Sequence, residues 1–320
     1  MPIRSFLDTR PSSAQDIISL FHRATELEKI ATTHGNFYDS SKPHHQKIVF
    51  CLFLEPSTRT RLSFEMAAYR LGHHVAVLDA GSGSSRVKGE SDVDTVANVL
   101  AMKPDVLVIR YNRSPELDEL LPTLSTPVIS GGNATAAHPT QALLDAYTIL
   151  RERGHRDSLR GERVLIVGDI LHSRVARSNF DVLAKLGAEI AVCGPTGWLP
   201  AADDLPGVRV FESLDEAVSW PSVYMGLRVQ LERHGSGKEP DELDSRYDAS
   251  ALKRFNEQFG LNPSRLKKLS KDAMIMHPGP INHGVEFTQE VTKDPRSKVL
   301  KQVTNGVLVR AALLSAILDS

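Results

Sequence analysis

The shortages in this chain exclude whole classes of protein. Only two cysteines occur among 320 residues, too few for the disulfide framework of a small secreted domain. Cys51 and Cys193 each sit inside an apolar segment, Ile48–Leu54 and Ile190–Cys193, and both read as small core hydrophobes. No Cys-x-x-Cys pair or Cys/His spacing of a structural zinc site occurs. Net charge is scarce too: 38 Lys+Arg against 39 Asp+Glu leave −1. A nucleic-acid-binding domain usually shows a pI above about 9 or a basic run, whereas this pI is near 6.9. Any electrostatic function is therefore local, with a small charged partner and neither nucleic acid nor membrane. The longest apolar run, Ile48 to Leu54, is seven residues, far below the ~20 that span a bilayer. Met1 to Asp8 contains no apolar core of a secretion signal, so a cytoplasmic location is expected.

What is present is ordinary soluble composition, 41% hydrophobic and 24% charged, in enough chain for two domains of about 150 residues. Ser12 or Ser13 can cap a first helix in which Ile17, Phe21, Ala24, Leu27 and Ile30 recur at steps of three and four. Lys47–Leu54 is apolar on both faces, the mark of a strand buried in a parallel sheet. A helix is expected over Thr60–Leu71, closed by Gly72. The beat then repeats: strand Val75–Leu78, loop Asp79–Lys88, helix Ser91–Met102, strands Val106–Arg110 and Val128–Ser130, and a flexible Gly131-Gly132-Asn133. A longer helix over Thr140–Arg153 precedes the polar stretch Gly154–Arg163, where the domain boundary is placed. Beyond it come strand Arg163–Val167, helix Ser173–Leu186 and strand Glu189–Cys193, with further strands at Val208–Phe211, Ser222–Leu227 and Met274–Met276. His234–Pro240 reads as a mobile loop, and Gln302–Leu318 as an apolar helix that needs a surface to cover. Alternation of this kind predicts α/β architecture with parallel sheets.

In such sheets ligands bind outside the carboxyl ends of the strands, and three loops so placed are rich in polar groups. Ser57-Thr58-Arg59-Thr60-Arg61 lies between a buried strand and a helix start, where N–H groups, hydroxyls and a guanidinium together suit a phosphate. Its plainer reading is a helix cap followed by a solvated arginine. It is not a P-loop. His138-Pro139-Thr140-Gln141 puts a histidine and an amide on one face of an opening helix, where both could point at a bound carbonyl. His277-Pro278-Gly279-Pro280 has a rigid backbone whose carbonyls could meet an amine. Taken singly, a core histidine and a rigid turn would explain these two as well.

Together, and in order, these loops resemble the aspartate/ornithine carbamoyltransferase family. The matching residues are Phe53–Arg61, Ser84 with Lys88-Gly89-Glu90, Arg110, His138–Asp145, Gly168-Asp169 with Arg174, Arg228-Val229-Gln230 with Glu232-Arg233, and His277–Pro280. The resemblance implies two doubly wound domains, each a mostly parallel sheet flanked by helices. Residues 1–142 with 298–320 would bind carbamoyl phosphate and residues 155–297 the amino acid, with a long helix between them and the C-terminal helix returning to the first. It implies that Ser57, Thr58, Arg59, Thr60 and Arg110 hold the phosphate. Arg59, Thr60 and His138 would polarise the carbonyl oxygen, and Gln141 would contact the carbamoyl amide. Ser84 and Lys88 would reach in from a neighbouring subunit of a homotrimer. Arg174, Arg228 and Gln230, with Lys88, would hold the amino acid's carboxylates, and backbone carbonyls at Gly279 and Pro280 would orient its amine. Regulatory chains or a dihydroorotase are the further partners the family suggests.

The chemistry implied needs no metal, no organic cofactor and no covalent nucleophile. The amine of the acceptor attacks the carbamoyl carbon, and donors aimed at the developing oxyanion stabilise the tetrahedral transition state. Arg174, Arg228 and Arg233 suit a dicarboxylate, whereas the ornithine branch carries His-Cys-Leu-Pro where this chain has His277-Pro278-Gly279-Pro280. The implied reaction is carbamoyl transfer to L-aspartate, giving N-carbamoyl-L-aspartate and phosphate early in pyrimidine (UMP) synthesis. The alternatives are a carbamoyltransferase for another, ornithine-like amino acid and an inactive homologue serving as an assembly scaffold. A nicotinamide-dependent oxidoreductase is disfavoured because Val167-Gly168-Asp169-Ile170 lacks the second and third glycines of the dinucleotide fingerprint.

Overall fold

The structure is a computed structural model that describes residues 4–41, 44–79, 89–112, 114–133, 137–229 and 249–319. Ser84, Lys88, Gln230, Glu232, Arg233 and the loop His234–Pro240 lie outside the described residues. The chain forms two units, Met1–Tyr147 with Val303–Ser320, and Thr148–Gln302.

The first unit contains α1 (Ala14–His34), β1 (Ile48–Phe53), α2 (Thr58–Arg70), β2 (His74–Asp79), α3 (Asp92–Ala101), β3 (Val106–Tyr111), α4 (Pro115–Leu120), β4 (Val128–Asn133) and the start of α5 (Pro139–Glu152). Its four strands are all parallel, in the order β2-β1-β3-β4. The apolar runs explain the centre: β3 is buried throughout and β1 from Val49 onward, while edge strand β2 stays half exposed. Ser13 caps α1 through a capping box, its hydroxyl accepting from Asp16 N while the Asp16 carboxylate accepts from Ser13 N.

Two expectations are corrected here. Gly131-Gly132-Asn133 is not a flexible loop but the end of β4, with both glycines buried. A Cβ at Gly131 would stand 3.4 Å from Arg110 Cβ and from Ile109 O, so glycine lets β4 run close along β3. The helix expected from Thr60 begins at Thr58, because the hydroxyls and guanidinium that read as loop are compatible with a first helical turn.

The second unit contains β5 (Arg163–Val167), α6 (Arg174–Lys185), β6 (Glu189–Cys193), β7 (Arg209–Phe211), α7 (Leu214–Ala217), β8 (Val223–Gly226), α8 (Ala249–Phe259), α9 (Pro263–Lys268), β9 (Met274–Met276), α10 (Gln289–Lys293) and the start of α11 (Val299–Leu318). Its strands are again all parallel, ordered β7-β6-β5-β8-β9, over a core that includes Val167, Cys193, Tyr224, Phe255, Ile275 and Phe287. The C-terminal helix starts three residues before the expected Gln302, and its last turns belong to the first unit, where Arg23 of α1 bonds Ser315 and Asp319.

Strand order reverses once in each sheet. The chain passes from β1 outward to β2 and then crosses to β3, and it passes from β5 to β6 and β7 before crossing to β8. The crevice above such a reversal is where α/β sheets bind ligands. Beside the second reversal the chain ends of β5 and β6 run close: a Cβ added at Gly194, after β6, would collide with Gly168 O, after β5. Gly194→Ala is accordingly expected to lower unfolding free energy by ~1–3 kcal/mol, measured by denaturant titration.

Candidate active site

In the first unit the polar loops meet at the β1/β3 reversal. Thr58, Arg59 and Thr60 form the first turn of α2, and Ser57 holds the N-cap position with extended backbone but makes no side-chain capping bond. Helix N-termini carry N–H groups without partners inside the helix and a partial positive charge. Thr58 and Arg59 are exposed, Ser57 is half-buried and Thr60 is buried. Arg110, at the end of β3, is paired in register with Phe53 and donates from Nη2 to Glu55 Oε1 at 2.8 Å. His138, reached through the loop after β4, places Nε2 3.4 Å from Thr60 Oγ1. Tyr111 OH donates to Asp118 at 2.6 Å, and Asn133 Nδ2 donates to both Tyr111 OH and Asp118 at 2.9 Å. Those bonds tie the ends of β3 and β4 together beside Arg110 and His138.

Behind this surface lies a buried polar layer. Gln141 Nε2 donates to Asp145 Oδ1 at 2.9 Å, which fixes the orientation of the amide. Arg310 of α11 donates from Nη2 to Thr140 Oγ1 at 3.3 Å, and its guanidinium lies 5.2 Å from the Phe64 ring centroid. Full burial pushes Arg310 down to about 10, with the Asp145 charge opposing that shift and Arg110 adding to it. The group is still a cation at neutral pH, so the layer contributes fixed positive charge. Of these residues the sequence reading missed Arg310, although a lone arginine in an apolar helix was a visible signal.

The second unit repeats the plan. Arg174 is the first residue of α6, buried, behind an N-cap Ser173 whose hydroxyl accepts from Ala176 N. Asp169, fully buried after β5, accepts from His172 N at 3.2 Å and lies 2.9 Å from His172 Nδ1, which shapes the turn leading to Arg174. Arg228 follows β8 and is half-buried. Burial lowers its pKa while the charge of Glu286 raises it. After β9, His277 N donates to Gln302 Oε1 and Gly279 N donates to His277 Nδ1, both at 2.9 Å, so the Gly279-Pro280 loop is anchored. Arg174, Arg228, Gly279 and Pro280 thus stand at the carboxyl ends of β5, β8 and β9. Guanidinium groups in that setting suit carboxylates. Glu286 carried no signal in the sequence. Neither thiol competes as a nucleophile, since burial pushes both Cys51 and Cys193 up to about 12.

A two-unit α/β protein with an anion-binding helix start in one unit and guanidinium-bearing loops in the other is what fold and site define. Residues 4–151 match the model of the aspartate/ornithine carbamoyltransferase carbamoyl-P binding domain, and residues 160–317 that of the Asp/Orn binding domain. The chain belongs to the aspartate/ornithine carbamoyltransferase family. It is 41% identical over 316 residues to the aspartate carbamoyltransferase catalytic subunit of Caldanaerobacter subterraneus subsp. tengcongensis, covering 99% of this chain and 98% of that one. Aspartate transcarbamoylase of Trypanosoma cruzi, solved with carbamoyl phosphate and aspartate, superposes with a TM-score of 0.80 at 27% identity over 98% of this chain and 95% of that one. Ornithine carbamoyltransferase of Pyrococcus furiosus gives the same TM-score, 0.80, at 28% identity over 99% of this chain and 98% of that one. Backbone shape is therefore common to both branches, and side chains must separate them.

The geometry of the first unit makes a direct prediction about anions. Inorganic phosphate is expected to raise the melting temperature by several degrees, because a hundredfold excess over Kd adds ~2.7 kcal/mol. Arg110→Ala should abolish most of that shift in calorimetric scans, whatever its own midpoint. An undiminished shift would place the anion elsewhere.

Proposed function

We propose that this chain is the catalytic chain of an aspartate carbamoyltransferase, moving the carbamoyl group of carbamoyl phosphate to the amine of L-aspartate in pyrimidine biosynthesis. The observation that carries the reading is the approach of Thr60 and His138, 78 residues apart in sequence, to 3.4 Å beside Arg59 and Arg110. A neutral carbonyl oxygen that becomes an oxyanion gains most from donors already in place.

The residues take these parts. Ser57, Thr58, Arg59, Thr60 and Arg110 hold the phosphate, with Ser84 and Lys88 contributed by an adjacent chain. Arg59, Thr60 and His138 polarise the carbonyl, and Gln141 meets the carbamoyl amide. Arg174, Arg228 and Gln230, with Lys88, hold the carboxylates of aspartate, and the backbone at Gly279 and Pro280 orients its amine. That amine attacks the carbamoyl carbon. The carbon–oxygen bond to phosphate then breaks, and the departing phosphate accepts the proton released by nitrogen. Positioning and fixed charge supply the rate enhancement. Arginine rather than carboxylate or thiol in the second unit favours aspartate over ornithine, in line with the 41% identical relative.

We read the chain as a homotrimer with shared sites. Leu62, Met66 and Tyr69 are exposed on one face of α2 at steps of four and three, and Val77 of β2 is 39% exposed. An apolar stripe of that kind marks an association surface. A cytoplasmic location accords with two free, buried cysteines.

Colorimetric assay for carbamoyl aspartate with the purified protein tests the activity itself. Arg228→Ala is expected to cut kcat/KM for aspartate at least ~30-fold, since an unpaired buried charge costs roughly 2–5 kcal/mol, while calorimetry shows carbamoyl phosphate binding nearly unchanged. Loss of both in step would put Arg228 in the wrong half of the site.

Sharing between chains has its own test. Arg59→Ala and Lys88→Ala each spoil every site and should be nearly inactive alone. Mixed equally, dissociated and reassembled, random trimers carry an intact site at about a quarter of positions, so about a quarter of wild-type activity should return. A mixture as dead as its parents, when wild-type chains treated identically recover, would confine the site to one chain.

A further inference from the structure

One buried carboxylate in the second unit joins two loops that the proposed chemistry uses and is itself assigned no part in it. Glu286 is 3% exposed. Its Oε1 accepts from Val229 N at 2.6 Å and from Asn282 Nδ2 at 2.9 Å, and its Oε2 accepts from Asn282 N at 2.7 Å. Asn282 Nδ2 also reaches Val229 O at 3.4 Å. One side of this clamp is the residue after Arg228. The other is two residues beyond Pro280. Phe287, the next residue, is fully buried and meets the His277 ring edge-on at 5.2 Å, so the base of the Gly279-Pro280 loop packs on the same segment.

We infer that Glu286 is a positioning residue for the amino-acid substrate, a carboxylate that holds the Arg228 loop and the Gly279–Pro280 loop in one fixed relation. The inference rests on the reading that those two loops hold aspartate. Every group bonded to the Glu286 side chain is an N–H donor, so the site demands acceptors on both oxygens. A carboxylate meets that demand and an amide cannot. The negative charge also lies close enough to Arg228 to favour its cationic form, although nothing bonds the two directly in this clamp. Leaving two loops of a binding site free to shift by about an ångström weakens what both must contact at once.

Glu286→Gln keeps the size of the side chain and turns an NH₂ group toward an N–H donor. It is expected to raise KM for aspartate at least ~10-fold, equivalent to 1.4 kcal/mol, with the calorimetric Kd for carbamoyl phosphate within twofold of wild type. Asn282→Ala, which removes one donor and keeps both backbone bonds, should raise the same KM by about threefold and serves if Glu286→Gln does not fold. A merely structural carboxylate would lower stability and active fraction while leaving KM alone. Unchanged KM in either folded variant, or an equal loss of carbamoyl phosphate affinity, overturns the inference. Arg228→Ala measured alongside separates the two levels. If it leaves KM for aspartate untouched, the assignment of the loops is wrong. If it raises KM and Glu286→Gln does not, only the clamp is wrong.

Discussion

A guanidinium held away from water needs a carboxylate nearby, and both units are arranged around that need. Moving an isolated charge into a low-dielectric interior is prohibitive unless it is paired. Arg110 is 8% exposed and bonds Glu55, Arg310 is fully buried near Asp145, and Arg228 lies near Glu286. Each carboxylate comes from a different element than its arginine, so satisfying the charges also fixes the elements.

The parallel sheet decides where such pairs can stand. All β→α loops of a parallel sheet emerge at one edge, and at a strand-order reversal two neighbouring loops diverge and leave a crevice. In the first unit that crevice is flanked by Glu55 and Arg110 from adjacent strands, and α2 starts beside it with its positive end. The second unit sets Arg174, at the start of α6, and Arg228 in the segments that follow the two strands of its own reversal, β5 and β8. Two copies of one architectural rule thus yield two anion-accepting edges, and only the loops differ.

The strands and the polar loops were legible because their signals are local. Val106–Ile109 and Val49–Phe53 are continuous apolar runs of strand length, the pattern of a buried parallel strand, and the expected Met274–Met276 coincides with β9 to the residue. In α8 the spacing of Leu252, Phe255 and Phe259 at steps of three and four is a helical signal left unread, whereas α9 and α10, at six and five residues, are too short to show a period. Gly131 and Gly132 were read as flexible because glycine allows both a loop and a close approach of strands, and only the neighbour, Arg110, decides between them. The site was legible as a set of loops through family resemblance, whereas composition and spacing alone left a helix cap, a core histidine and a rigid turn as equal readings. Arg310 is visible as a lone arginine in an apolar helix, but its partner Thr140 lies 170 residues away, and the link from Glu286 to Val229 spans 57 residues without a local signal.

Substrate choice within the family follows from the same separation of roles. The backbone is shared with an ornithine enzyme at the same TM-score as with an aspartate enzyme, so the fold alone carries no information about the acceptor. The acceptor's side chain differs by a full sign of charge between ornithine and aspartate, and on the proposed reading the second unit answers with Arg174, at the start of α6, and Arg228, after β8. The charge of Glu286 favours the cationic form of the half-buried Arg228 against burial, while the bonds of that carboxylate go to backbone N–H groups and an amide. On the proposed reading a cationic acceptor would be repelled by Arg174 and Arg228, and like charge at close range costs several kcal/mol. On that reading, rejection of the wrong amino acid comes from the same charges that bind the right one.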